Sequence, residues 1–234
     1  MQPSPTRKTV LLIGASRGLG FAMVEEYLKR DWDVIATARA DSGKMLQQIA
    51  SVHKGSMEVE TLEVTDIDQI VNLRRSLHLR TVDLLFINAG VNSDDDEKIG
   101  DVSTEEFVRV MVTNSLSPMR VVEAFQDMVP PTGSIGVMSS ELGSLTNNTN
   151  GNHEVYRGSK AALNMFMRSF AARHSTDTRT LLLLVPGWVR TDMGGPDALL
   201  SIDESIPSLV NTIQSLEGKG GLHYIDYLGR AVPW

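Results

Sequence analysis

The 234-residue sequence contains no cysteine. That excludes a disulfide framework, a thiolate nucleophile and a cysteine-held metal, and no metal site is expected. It leaves the compartment open. No basic block occurs and the net charge is −7, so neither nucleic acid nor an anionic membrane surface is an expected partner. No apolar run is long enough to span a bilayer, and residues 1–8 are polar and proline-containing, unlike a signal segment. A cytoplasmic protein is the default expectation. Repeats and low-complexity linkers are also lacking, so 1–234 reads as a single domain.

Apolar content of 41% and charged content of 22% suit a soluble globule with one sizeable core. Strand patterns fall near 8–14, 33–38, 57–63, 82–88, 133–138, 179–185 and 222–225. Helical patterns fall near 18–30, 42–52, 66–78, 104–128, 155–174 and 203–217. Alternation of continuous apolar strands with helices predicts an α/β fold, a doubly wound parallel sheet with helices on both faces. Thr146 to Asn152 reads as a polar loop, and Asp94-Asp95-Asp96-Glu97 as a solvated turn without function.

Tyr156-Arg157-Gly158-Ser159-Lys160 places a phenol and an ammonium four residues apart where a helix begins. Such positions share a face. The lysine charge is expected to stabilise a phenolate and lower the tyrosine pKa from its ordinary value of about 10. A tyrosine tuned in this way exchanges a proton with a carbonyl or alcohol oxygen. The pattern is common by chance, and its weight comes from the rest of the chain.

Thr9-Val10-Leu11-Leu12-Ile13 runs into Gly14-Ala15-Ser16-Arg17-Gly18-Leu19-Gly20, and Phe21, Val24 and Leu28 then recur at helical spacing. Strand, glycine turn and helix make the setting in which backbone amides hold a dinucleotide pyrophosphate. Gly14, Ser16, Arg17, Gly18, Leu19 and Gly20 are therefore candidate cofactor contacts. An acidic residue at the tip of the second strand bonds a ribose 2′-hydroxyl in NAD-binding folds. Here that tip is Arg39, with Arg17 in the glycine turn, and guanidiniums suit a 2′-phosphate. NADP(H) is the expected cofactor and NAD(H) the less favoured one, with Asp41 leaving some NAD use open.

Together with Asn88-Ala89-Gly90, Asn114, Ser139-Ser140 and Pro186-Gly187-Trp188-Val189-Arg190-Thr191, these motifs resemble the short-chain dehydrogenase/reductase family over nearly the whole chain. Tyr156-Arg157-x-Ser159-Lys160-Ala161-Ala162-Leu163-Asn164 and the stretch Gly229 to Trp234 are similar to its C-factor and sniffer-like carbonyl reductase branch. The resemblance implies a seven-stranded Rossmann fold and interconversion of a carbonyl and an alcohol by hydride transfer. It implies Tyr156 as proton donor or acceptor, Ser140 on the substrate oxygen, Lys160 on the nicotinamide ribose, and Asn114 holding a water that links to Lys160. Ser139 is the alternative to Ser140.

Asn88 and Ala89 are implied beside the adenosine ribose, Glu63 and Val64 beside the adenine, Thr191 at the nicotinamide carboxamide, and Gly90, Pro186, Gly187 and Val189 as further cofactor contacts. Tyr156 and Lys160 belong to both sets. Ile13 stands where the family often has a threonine, so the bond bracing the turn must come from elsewhere. Met193 to Ser205 is expected to form a substrate lid, Trp188, Leu142 and Met193 apolar walls, and His153 a loop bystander. A homodimer or homotetramer through the helices at 104–128 and 155–174 is implied. The competing reading is a catalytically idle, nucleotide-sensing protein; an epimerase is disfavoured because no sizeable C-terminal substrate domain follows.

Overall fold

A computed structural model describes residues 7–93 and 97–234. Residues 1–6 of the polar start and Asp94, Asp95 and Asp96 of the acidic run lie outside the described residues. Seven parallel strands form one sheet in the order β3-β2-β1-β4-β5-β6-β7. They are β1 (Thr9–Ile13), β2 (Asp33–Ala38), β3 (Met57–Thr61), β4 (Leu84–Ile87), β5 (Ser134–Met138), β6 (Thr180–Val185) and β7 (Gly221–Asp226). Between them run α1 (Gly18–Lys29), α2 (Lys44–Val52), α3 (Ile67–Ser76), α4 (Thr104–Met111), α5 (Ser117–Phe125), α6 (Glu154–Arg173) and α7 (Ile202–Ser215). The doubly wound fold expected from the alternation is the one observed.

The continuous apolar strands bury side chains on both faces, because successive residues point to opposite sides. Leu11 and Ile13 of β1 join Leu73 of α3, Phe125 of α5 and Phe170 of α6 in one core cluster. Val10 and Leu12 face the other way, onto Tyr27 of α1, Leu46 of α2 and Leu209 of α7. β1 pairs with β2 on one side and β4 on the other. The chain order reverses there, and in open parallel sheets the ligand crevice lies at the strands' carboxyl ends at that point.

Two expectations need correction. The helix foreseen over 104–128 is not continuous: α4 passes through a π-helical turn, Val112–Leu116, into α5, and ends in a 3-10 turn, Gln126–Met128. The wide turn brings two adjacent residues, Asn114 and Ser115, into the interior together. The strand foreseen over 57–63 stops at Thr61, which leaves Glu63 and Val64 in the following turn.

Candidate active site

The crevice begins at the glycine turn. Gly14 has φ +84, and a Cβ there would lie 2.7 Å from the Ala89 backbone, so only glycine lets the first and fourth strand ends meet this closely. Asn88 Nδ2 donates to the Gly14 carbonyl at 2.7 Å. The Gly14 amide donates to Thr37 Oγ1 of β2 at 3.0 Å. Thr37 therefore supplies the brace that Ile13 cannot. Sequence reading missed it because the bond crosses strands, although a buried hydroxyl in an otherwise apolar strand is the signal that marks it.

The start of α1 suits a phosphate. α3, α4 and α7 begin with Asp66, Ser103 and Ser201, each accepting a hydrogen bond from its own helix's amides. α1 begins with Arg17, has no side-chain cap and carries no acid in its first turn. Free amides and the positive end of the helix dipole then face the crevice. Opposite lies Thr191, whose Cγ2 is 3.8 Å from where a Gly18 Cβ would be. The residues present thus fit a dinucleotide pyrophosphate.

The two arginines do not converge as expected. Arg17 Nη1 pairs with Asp192 Oδ2 at 3.2 Å, across the crevice mouth. Arg39 Nε lies 3.9 Å from Asp41 Oδ1. Arg39 lines a groove of about 710 Å³ with Asp41, Glu60, Glu63 and Gln69 at the carboxyl ends of β2 and β3, away from Tyr156. An adjoining groove is lined by Arg39 and also by Lys44, a cation sequence reading missed. Glu63 is occupied locally, accepting from Thr65 N at 3.1 Å and Thr65 Oγ1 at 3.0 Å. Val64 is buried.

On α6, Tyr156, Lys160 and Asn164 follow at i, i+4 and i+8, so one helix face meets the end of β5. Lys160 Nζ donates to the Met138 carbonyl at 2.9 Å and lies 5.7 Å from the Tyr156 ring centre. Gly90 faces both Lys160 Nζ and Asn114 Oδ1, at 3.6 and 3.4 Å from its would-be Cβ. Asn114 is fully buried; its amide donates to Val91 O at 2.9 Å and Ser159 Oγ at 3.0 Å, while Oδ1 accepts from Val91 N at 2.8 Å. Ser140 caps a short 3-10 turn, its Oγ accepting from Leu142 N at 3.1 Å. Ser139 instead donates to Asn164 Oδ1 at 2.6 Å.

The protonation states differ from expectation. Burial pushes the Tyr156 phenol up to about 12, and a hydrogen bond with Ser140 only partly draws it back. Burial also brings the Lys160 ammonium down to about 8. Lys160 was expected to lower the tyrosine. Burial acts against the charged form of each group, because an uncharged phenol loses little on burial whereas a phenolate loses much.

Gly187 and Val189 follow β6, with the Pro186 carbonyl accepting from Ser205 Oγ at 2.6 Å. Thr191 Oγ1 accepts from Gly194 N at 3.1 Å. The segment expected as a lid is loop only as far as Ser201, and Ile202 to Ser205 form the first turn of α7. Trp188 and Met193 stand about half exposed at this mouth. His153, in the left-handed region at φ +55, precedes α6. Among the described residues no helix is long and apolar enough to cross a membrane, and no group of three or more His, Asp or Glu could hold a metal.

The model of the short chain dehydrogenase family matches residues 8–198. The chain belongs to that family. A protein from Burkholderia multivorans solved with bound NADP, described as a short-chain dehydrogenase/reductase, is 53% identical, with a TM-score of 0.95 over 98% of this chain and 100% of that one. A carbonyl reductase from Pseudomonas aeruginosa PAO1 in complex with NADP is 32% identical, with a TM-score of 0.90 over 98% and 100%. The C-signal protein of Myxococcus xanthus is 39% identical over 158 residues, 65% of this chain and 93% of that one. The C-factor-like resemblance read from the motifs holds.

Proposed function

We propose that this member of the family is an NADP(H)-dependent oxidoreductase that reduces a carbonyl to an alcohol, with Tyr156 as proton donor. The observation that carries the reading is the stripe Tyr156–Lys160 on α6 facing Ser140 at the end of β5, beside the uncapped start of α1. The bound nicotinamide supplies the hydride. The start of α1, with Gly14, Ser16, Gly18, Leu19 and Gly20, would hold the pyrophosphate. Asn88, Ala89 and Gly90 would line the ribose, Glu63 and Val64 the adenine, and Pro186, Gly187, Val189 and Thr191 the nicotinamide.

Ser140 Oγ donates to the substrate oxygen and shares the negative charge that develops there. Tyr156 then gives that oxygen its proton. A phenol held near 12 is fully protonated at neutral pH, as a donor must be. Lys160 places a positive charge beside the phenol and would bond the nicotinamide ribose, while Asn114 holds the 90–91 backbone against α6.

The cofactor choice rests on Arg39 and Lys44 at the β2 end and on the NADP held by the two similar structures. Purified protein should oxidise NADPH when offered a panel of aldehydes and ketones. In Arg39→Asp the ratio of kcat/KM with NADPH to that with NADH should fall roughly ten- to a hundredfold, the worth of one charge-assisted bond. An unchanged ratio would show that Arg39 does not read the 2′-phosphate. The similarity to a protein named C-signal is the observation on the side of a nucleotide-sensing role. Tight NADPH binding with no turnover across the panel would favour it.

We also propose a homodimer or homotetramer. Phe107, Val108, Leu116, Met165 and Phe166 lie between 39% and 59% exposed on α4, the π turn and α6. Grouped apolar exposure of this kind marks a contact surface. Light scattering at micromolar concentration should give at least twice the 25.7 kDa chain mass. A mass of one chain would refute it.

A further inference from the structure

β7 and the residues beyond it grip the segment that carries Ser140. Tyr224 of β7 is buried, and its hydroxyl donates to the Ser140 carbonyl at 2.6 Å. Its ring lies 5.3 Å from that of Trp234, which also carries Arg168 of α6 at 4.9 Å. The Trp234 carbonyl accepts from Thr146 N at 3.0 Å, Thr146 Oγ1 at 2.8 Å and Ser144 Oγ at 3.4 Å. Asn164 of α6 adds a third hold, its amide donating to the Gly143 carbonyl at 3.2 Å. Ser140 thus leaves β5 into a turn fixed from both sides.

A bond at the Ser140 carbonyl fixes the peptide plane on which the Ser140 side chain is built. Small misplacements at a reacting centre are costly in rate. The ring of Tyr224 already fills its place in the core, so packing alone calls only for phenylalanine there. Burial raises the Tyr224 phenol, which keeps it a hydrogen-bond donor at working pH.

We propose that Tyr224 is a positioning residue for the Ser140–Tyr156 pair, and that Trp234 holds Tyr224 and the turn to Thr146 in register with it. This rests on the roles given above to Ser140 and Tyr156. Tyr224 acts through the Ser140 backbone, to which its hydroxyl is bonded.

The test compares Tyr224→Phe with Ser140→Ala and wild type, using NADPH and one carbonyl substrate. Tyr224→Phe should lower kcat roughly tenfold or more, the cost of a small misalignment, with NADPH affinity unchanged by fluorescence titration. The primary isotope effect on kcat with deuterated NADPH should rise, because a displaced Ser140 slows the chemical step itself. A purely structural hydroxyl would change the melting temperature and neither of these. Wild-type kcat and isotope effect in Tyr224→Phe, with Ser140→Ala inactive, overturns this inference alone. Full activity in Ser140→Ala overturns the reading of the site and this inference with it. Should Tyr224→Phe not fold, Trp234→Leu serves: a several-fold loss of kcat with the same rise in isotope effect is expected, and wild-type behaviour overturns the proposal.

Discussion

Tyr156→Phe should lower kcat by roughly a thousandfold, within the range a positioned general acid supplies, while leaving NADPH binding nearly intact. The ring still packs on α6, and the change removes only the hydroxyl that Ser140 bonds. Loss of binding and turnover together would mean that the ring, not its proton, is what matters. Retention of more than a few per cent of kcat would show that another group delivers the proton. Stopped-flow or steady-state rates, with cofactor affinity measured separately by fluorescence, make the distinction.

Lys160→Met should reduce kcat by about a hundredfold or more, the usual cost of deleting one preorganised charge beside a reacting oxygen, and it should weaken NADPH. It should also change how stability depends on pH. The Lys160 ammonium titrates near 8 when folded, below its ordinary 10.5. Below about pH 8 the folded state carries the full penalty of a buried charge. Between about 8 and 10.5 the unfolded chain binds more protons than the folded one, so stability rises with pH as the penalty is relieved. The interval corresponds to about 3 kcal/mol. Urea unfolding of both proteins at pH 7 and pH 10.5 isolates the contribution, since other groups titrate alike in each. Wild type should gain on the variant by that order as pH rises. A constant gap between the two would show that Lys160 is not desolvated.

The sheet was legible because its signals are local. Apolar runs such as Leu181-Leu182-Leu183-Leu184 admit little but a strand buried on both faces, and the turn at Gly14–Gly20 announces its helix. The catalytic candidates were legible as spacing, Tyr156 to Lys160 above all. What escaped depends on partners far along the chain. Thr37 reaches Gly14 across two strands, and Tyr224 reaches Ser140 across 84 residues. The π turn lay hidden because Thr113-Asn114-Ser115 reads as weak helix, and only the burial of Asn114 and Ser115 against Ser159 shows why the helix widens there. The spacing of Tyr156 and Lys160 displays the neighbouring charge, whereas the burial that raises the phenol shows only in the fold.

The strand order has a kinetic side. Asn88 closes on Gly14 only when β4 docks on β1, although β2 and β3 lie between them in the chain. Such non-local closure slows folding, because loop entropy is spent before contacts repay it. On the ribosome, the crevice stays unfinished through most of synthesis: Tyr156 and Lys160 emerge before β6 exists, and the lock on Ser140 emerges only with β7. The hold on Ser140 is therefore completed late for the nascent chain, and the half-made sheet must keep its apolar edge at β5 away from other chains until then.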